Sequence, residues 1–229
     1  MSELNNILLV DVGNTRIKYM RGHDSQIRYV SDLNSLPCNE FDEVRIATVS
    51  RTHEIEAWGQ SIPARVQIAK VRKEHRGLSV AYEDVSRLGV DRWLAMLALW
   101  VERNRAFGVV DLGTAITADF VDSSGNHSGG YIVPGYRLMK QALGKNTDQV
   151  GFGGNSSEQK LGLNTEECVD HGINRLVYSF LTDLIKTEGD GSAFVLTGGD
   201  AEKVMRTGSV TNTEIDESLV IRGLRYCFE

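Results

Sequence analysis

The stretch Ile7-Leu8-Leu9-Val10-Asp11-Val12-Gly13-Asn14-Thr15 returns one hundred residues further on as Gly108-Val109-Val110-Asp111-Leu112-Gly113-Thr114-Ala115. Each copy is a short apolar run ending in Asp-x-Gly and then Asn or Thr. Each is followed by residues that alternate in character, Arg16 to Met20 in the first case and Ile116 to Val121 in the second. Alternation with a period of two marks a half-buried strand, and a polar, glycine-bearing break between two strands marks a hairpin. A single Asp-x-Gly turn is common hairpin punctuation, but two in matching context predict an internal duplication.

The same turns carry a chemistry. A glycine just after a strand lets backbone N–H groups approach phosphate oxygens closely, and a neighbouring Asn or Thr adds a donor. An ionised Asp only accepts hydrogen bonds and suits a hard cation, which in turn offsets phosphate charge. Asp11 and Asp111 are therefore candidates for the cation side of two phosphate cradles. Thr197-Gly198-Gly199, after the apolar run Ala193 to Leu196, would let a flat ligand or its sugar lie against backbone.

Working outward, Val44 to Val49 and Val66 to Val71 read as strands, with Arg51 to Gln60 as a helix between them. Arg87 to Asn104 contains Trp93-Leu94-Ala95-Met96-Leu97-Ala98-Leu99-Trp100-Val101, a helix apolar on every face, which must bury more than one of them. Burial between two subunits and burial in one core both meet that need. Gly129 to Gly135 reads as a strand bracketed by glycines and Tyr136 to Leu143 as a helix. Gly144 to Asn155 has no periodicity and is expected to be a mobile loop. Thr165 to Lys186 keeps helical spacing, and Glu214 to Tyr226 is expected to be a final helix. No linker, low-complexity tract or charge block separates the halves, so any two lobes are closely joined.

Composition bounds the partners. The 229 residues are 41% hydrophobic and 24% charged, the balance of a soluble globular chain. With 31 acidic against 25 basic residues the net charge is −6, which argues against nucleic acid or an anionic membrane surface as a main partner. Cys38, Cys168 and Cys227 are odd in number and far apart, which points away from a disulfide framework and towards the reducing cytoplasm. His23, His53, His75, His127 and His171 show no ligand spacing and read as surface or satisfied residues. Met1 to Asn6 lacks a basic targeting region, and no apolar run approaches the ~18 residues that would span a bilayer.

D-x-G-N-T, D-x-G-T-A and T-G-G, in that order, resemble the phosphate-1, phosphate-2 and adenosine motifs of the acetate and sugar kinase/Hsp70/actin superfamily. Gly89-Val90-Asp91-Arg92, Gly129-Gly130-Tyr131-Ile132-Val133-Pro134-Gly135 and Leu196-Thr197-Gly198-Gly199-Asp200-Ala201 narrow the resemblance to type III pantothenate kinase, from Leu8 to about Leu224. That resemblance implies an α/β fold of duplicated ribonuclease H-like (actin-like ATPase) domains, with an N-terminal lobe over 1–104 and a C-terminal lobe over 105–229. It implies ATP-dependent phosphorylation of pantothenate, the entry to coenzyme A synthesis, with magnesium and a monovalent cation, potassium or ammonium, in a homodimer. Residue by residue, the ATP phosphate loop falls on Asp11, Val12, Gly13, Asn14, Thr15, Arg16, Ile17 and Lys18, with a second phosphate contact at Thr114. Asp111 takes the monovalent-cation position and Asp91 that of the proton acceptor. Tyr82, Gly89, Val90, Asp91, Arg92 and Thr165 match the pantothenate contacts. The family pattern has a proline three residues after the tyrosine; this chain has Val85, which puts the placing of Tyr82 in question.

The residue types agree with that chemistry. Phosphoryl transfer needs positioning, charge neutralisation and a group to take the proton from the attacking hydroxyl. Asp91, in the first turn of a helix, would have its carboxylate stabilised by the helix N-terminus. Arg92 could grip a carboxylate or phosphate bidentately. Taken singly, Asp91 and Arg92 would be a helix N-terminal acid and a surface ion-pair partner, Tyr82 a packing residue and Thr165 a helix N-cap, so the combination carries the reading. The alternative is an ATP-binding regulator of the Bvg accessory factor type. A chaperone-like switch would need insertions for which the chain has no room.

Overall fold

The computed structural model describes residues 6–13, 16–146, 157–188, 193–207, 210 and 213–228. Strand β1 (Ile7–Val12) takes the centre of the first sheet because its apolar residues are buried whichever face they point to, as a strand covered on both sides requires. It pairs antiparallel with β2 (Ile17–Arg21), which is followed at the edge by β3 (Arg28–Val30). On its other side lie β4 (Glu43–Thr48) and, after helix α1 (Thr52–Gly59), β5 (Arg65–Ile68), both parallel to it, in the order β3-β2-β1-β4-β5.

A small hairpin, β6 (Glu74–His75) and β7 (Leu78–Ser79), leads to helix α2 (Val90–Arg103). The second sheet then repeats the first. Strand β8 (Phe107–Leu112) pairs antiparallel with β9 (Ala115–Val121), and β10 (His127–Pro134) lies beyond it. After helices α3 (Tyr136–Asn146) and α4 (Thr165–Glu188), strand β11 (Ala193–Thr197) pairs parallel with β8. Helix α5 (Ala201–Met205) leads to β12 (Thr213–Ile215), parallel to β11, and helix α6 (Leu219–Gly223) follows. The order β10-β9-β8-β11-β12, with the same directions for the pairs β8–β9, β8–β11 and β11–β12 as for β1–β2, β1–β4 and β4–β5, is the internal duplication expected from the two turns, in the ribonuclease H-like arrangement that the resemblance implies. The hairpins differ by one residue. Val12 pairs with Ile17, four positions intervening in the sequence, whereas Leu112 pairs with Ile116 with three between them.

Residues group into two compact units: Met1–Arg105 with Ser123–His127 and Ser218–Glu229, and Ala106–Asp122 with Ser128–Glu217. In the first unit, α2 is buried from Arg92 to Trp100 within one chain, Trp93 through Leu99 almost completely, so the single-core alternative is the one adopted. Helix α6 packs on it backbone to backbone. A Cβ on Gly223 would lie 2.3 Å from the carbonyl oxygen of Leu94. Arg45 donates to the carbonyls of Leu224 and Arg225 at 3.3 and 3.1 Å and so ties the C-terminal segment to β4.

The long terminal helix expected over Glu214 to Tyr226 is absent. The β-branched residues Thr213 and Ile215 flank Glu214 in β12, and Asp216 N–H donates to Leu196 O at 2.9 Å, so sheet pairing overrides helical spacing until Leu219. The expected strand over Val66 to Val71 ends at Ile68. Helix α3 runs on to Asn146, and residues 147–155 of the expected loop lie outside the described residues. The β6–β7 hairpin escapes a sequence reading because its turn places Arg76 at φ 49 beside Gly77 at φ 82, and arginine is no signal for a left-handed position.

Candidate active site

The expected site residues form two sets, one in each unit. In the first, Asp11 sits one residue before the end of β1, in register with Lys18 on β2 and Ala47 on β4. Burial pushes its carboxyl up to about 6; the Lys18 ammonium opposes that shift and the Asp91 carboxylate adds to it. Both charges therefore act on Asp11. Gly13 N–H closes the turn on Arg16 O at 3.1 Å. Val12 and Ile17 are buried in the core and can offer a loop ligand only backbone groups, while Arg16 is exposed over the Tyr29 ring. Asn14 and Thr15 lie outside the described residues.

Helix α2 starts at Val90 without a side-chain N-cap, since the residue before it is Gly89. Asp91 compensates: its Oδ1 accepts from Arg92 N–H at 2.8 Å, so the carboxylate rests on the helix N-terminus. A Cβ at position 89 would lie 2.5 Å from Asp91 Oδ1 and would push the carboxylate from this place. Arg92, 7% exposed, turns its guanidinium towards Tyr82 and donates from Nη1 to the Tyr82 hydroxyl at 3.1 Å. The segment bearing Tyr82 is pinned twice. Lys73 Nζ donates to Val80 O and Tyr82 O at 2.6 and 3.0 Å. Asp84 caps a single 3-10 turn over Val85–Arg87, accepting from Ser86 N–H at 3.1 Å and from Ser86 Oγ at 2.6 Å. Asp84 and Lys73 thus do here what a rigid proline at 85 would do, a role the sequence reading missed. A cavity of about 470 Å³ opens on the approach to α2, lined among others by Thr48, Lys70, Val85, Ser86, Gly89 and Val90.

In the second unit Asp111 stands in β8 where Asp11 stands in β1, in register with Thr117 and Thr197. Its Oδ1 lies 2.3 Å from where a Cβ on Gly198 would be, and Gly198 has φ +89. The Asp111 carboxylate fits there because position 198 has no side chain, and an ionised carboxylate is an oxygen donor of the kind a hard cation takes. The turn bearing Thr114 is braced by Gly135 N–H, which donates to Thr114 O at 3.0 Å, and Asp200 N–H donates to Leu112 O at 3.0 Å. Thr165 is the exposed first residue of α4 and not its cap. That duty falls to Asn164, whose Oδ1 accepts from Glu167 N–H at 2.9 Å while Glu167 reaches back to Leu163 N–H at 2.9 Å.

A sequence model of type III pantothenate kinases matches residues 7–187. A protein of Marinobacter nauticus named type III pantothenate kinase is 36% identical over 238 aligned residues, covering 95% of this chain and 96% of the relative. One of Pseudoalteromonas translucida with the same name is 34% identical, covering 97% and 96%. A solved structure from Campylobacter jejuni, described as a Baf family transcriptional activator, superposes with a TM-score of 0.65 at 19% identity over 95% of each chain, a likeness of fold.

Proposed function

Given that this chain belongs to the type III pantothenate kinase family, we infer that it transfers the terminal phosphoryl group of ATP to the primary hydroxyl of pantothenate, giving 4'-phosphopantothenate for coenzyme A synthesis. The observation that carries this reading is the start of α2, where Gly89 gives room for the Asp91 carboxylate beside the buried Arg92. In this reading Asp91 takes the proton from the attacking hydroxyl. Arg92 and Tyr82, with Gly89, Val90 and Thr165, hold the acceptor acid. The turn from Asp11 to Lys18 and Thr114 hold the phosphates of magnesium-bound ATP. Asp111 would hold potassium or ammonium, whose charge would offset that of the phosphates.

The unit holding β1 and α2 then carries the first phosphate loop and the proton acceptor, and the unit holding β8 and β11 the second phosphate contact and the adenosine turn. The reading includes a homodimer working in the cytoplasm. Among the described residues no helix is long and apolar enough to cross a membrane, and the three cysteines are unpaired. The regulator alternative is not favoured, since the curated relatives carry the kinase name.

The test is pantothenate-dependent ADP release with magnesium and potassium supplied, against a panel of small alcohols. Asp91→Asn should retain ATP binding and lose about 10²–10⁴ in kcat, the span of a positioned proton acceptor. A variant within threefold of wild type removes Asp91 from that role. A wild type that binds ATP without acceptor-dependent turnover returns the chain to the regulator reading.

A further inference from the structure

His127 reads from the sequence as an unremarkable histidine, yet it is 3% exposed and its imidazole lies parallel to the Tyr82 ring, 10° between planes and 6.2 Å between centroids. That is offset stacking within the usual range for aromatic pairs. On the same tyrosine, the Arg92 guanidinium donates to the hydroxyl and sits 5.8 Å from the ring centroid. The three side chains form a row: imidazole, phenol, guanidinium. We propose that His127 is a positioning residue of the acceptor site, which sets the Tyr82 ring and through it the direction of the Arg92 guanidinium. This rests on the reading of Tyr82 and Arg92 as acceptor contacts.

His127 is itself held in place. Gly125, at φ +84, approaches so closely that a Cβ on it would lie 2.2 Å from Gly77 O and 2.6 Å from Trp100 Cζ2, and Trp100 belongs to the same helix as Arg92. Ser79 N–H donates to Gly125 O at 2.9 Å, and Ser79 bridges Asn126 in parallel pairing. The row thus begins on a segment seated on α2 and ends on the first turn of α2. Tyr82 is the half-buried member in between. A phenol on a short loop segment has two side-chain torsions to fix, and a flat buried partner restricts them.

The consequence concerns binding of the acceptor more than the chemical step, because the Asp91 carboxylate rests on a backbone N–H of the helix N-terminus beside Gly89, which the Tyr82 ring does not supply. Wild type, His127→Ala and His127→Phe are compared by steady-state kinetics, by calorimetric titration with pantothenate and by thermal unfolding. His127→Ala should raise the pantothenate KM about tenfold while the ATP KM stays within about twofold, the split expected when acceptor binding alone is loosened. His127→Phe, which keeps a flat ring, should restore the pantothenate KM to within about threefold of wild type. The proposal is overturned if His127→Ala leaves the pantothenate KM unchanged, if both KM values rise together with a lowered melting temperature, or if a normally folded His127→Phe fails to rescue. A wild type that neither turns over nor binds pantothenate overturns the acceptor reading itself and the role of His127 with it. Normal wild-type kinetics with an unaffected His127→Ala overturn the role alone.

Discussion

Glycine and aspartate pairs do most of the work at the scale of single residues. Glycine at position 89 leaves the space of a Cβ to the Asp91 carboxylate, and glycine at position 198 does the same for Asp111. A sequence shows such pairs as motifs but not their reason, since the two members are separated by one residue in the first case and by many in the second. Asp11 adds a prediction. Its carboxyl is raised from 3.8 to about 6, chiefly by burial. Between those values the folded chain holds a proton that the unfolded chain has lost, so this group makes stability fall as pH rises from about 4 to 6. Activity should move the other way, because phosphate and cation chemistry on that turn needs the anion. We expect kcat/KM for ATP to fall with unit slope below about pH 6, while Asp11→Asn is weakly active and flat over that range. A wild-type profile without an ionisation near 6 would contradict this role for Asp11.

At the scale of elements, the strands around the two Asp-x-Gly turns are legible because they are apolar runs with glycine punctuation, and α2 and α4 because their apolar spacing is long. What is not legible depends on tertiary contact. Strand β12 forms only through pairing with β11, and the β6–β7 turn uses an arginine at positive φ. The cap of α4 is Asn164 where Thr165 is equally plausible from sequence, and the extra residue in the first hairpin is visible only in the strand register. The turn over Val85–Arg87 offers a test. Asp84 before it has φ −94 and ψ 98, a conformation that a following proline accepts, and Val85 is the first residue of the turn, where proline is tolerated. Val85→Pro should therefore stabilise the protein by about 0.4–1 kcal/mol through the unfolded state. Differential scanning calorimetry should show a melting temperature higher by roughly 1–4 °C with the pantothenate KM unchanged. A lowered melting temperature would mean that Val85 packs in a way proline cannot replace.

For the molecule as a whole, the duplication could be read from two turns one hundred residues apart, but self-association could not be read from the feature that first suggested it. Helix α2 is buried from Arg92 to Trp100 within a single chain and packs on α6, so the apolar stretch that suggested a dimer is already covered. The apolar surface left open is elsewhere. Leu161 and Leu163 are 89% and 92% exposed just before α4, and Leu176 within it is 54% exposed. Three turns of helix separate Leu176 from Thr165, so the two lie on one face. The bonds among Leu163, Asn164 and Glu167 fix the geometry of the segment carrying Leu163. Large leucines presented on such a fixed element, next to a residue assigned to the acceptor, are what a partner surface requires. Light scattering should accordingly give twice the chain mass at micromolar concentration. Leu163→Asp combined with Leu176→Asp should bring it to the mass of one chain with an unchanged circular dichroism spectrum, because neither side chain is buried within the chain, while the unfolding temperature loses only its dependence on protein concentration. A wild type that stays monomeric would remove the dimer from the reading, and a double variant that stays dimeric would move the interface away from α4.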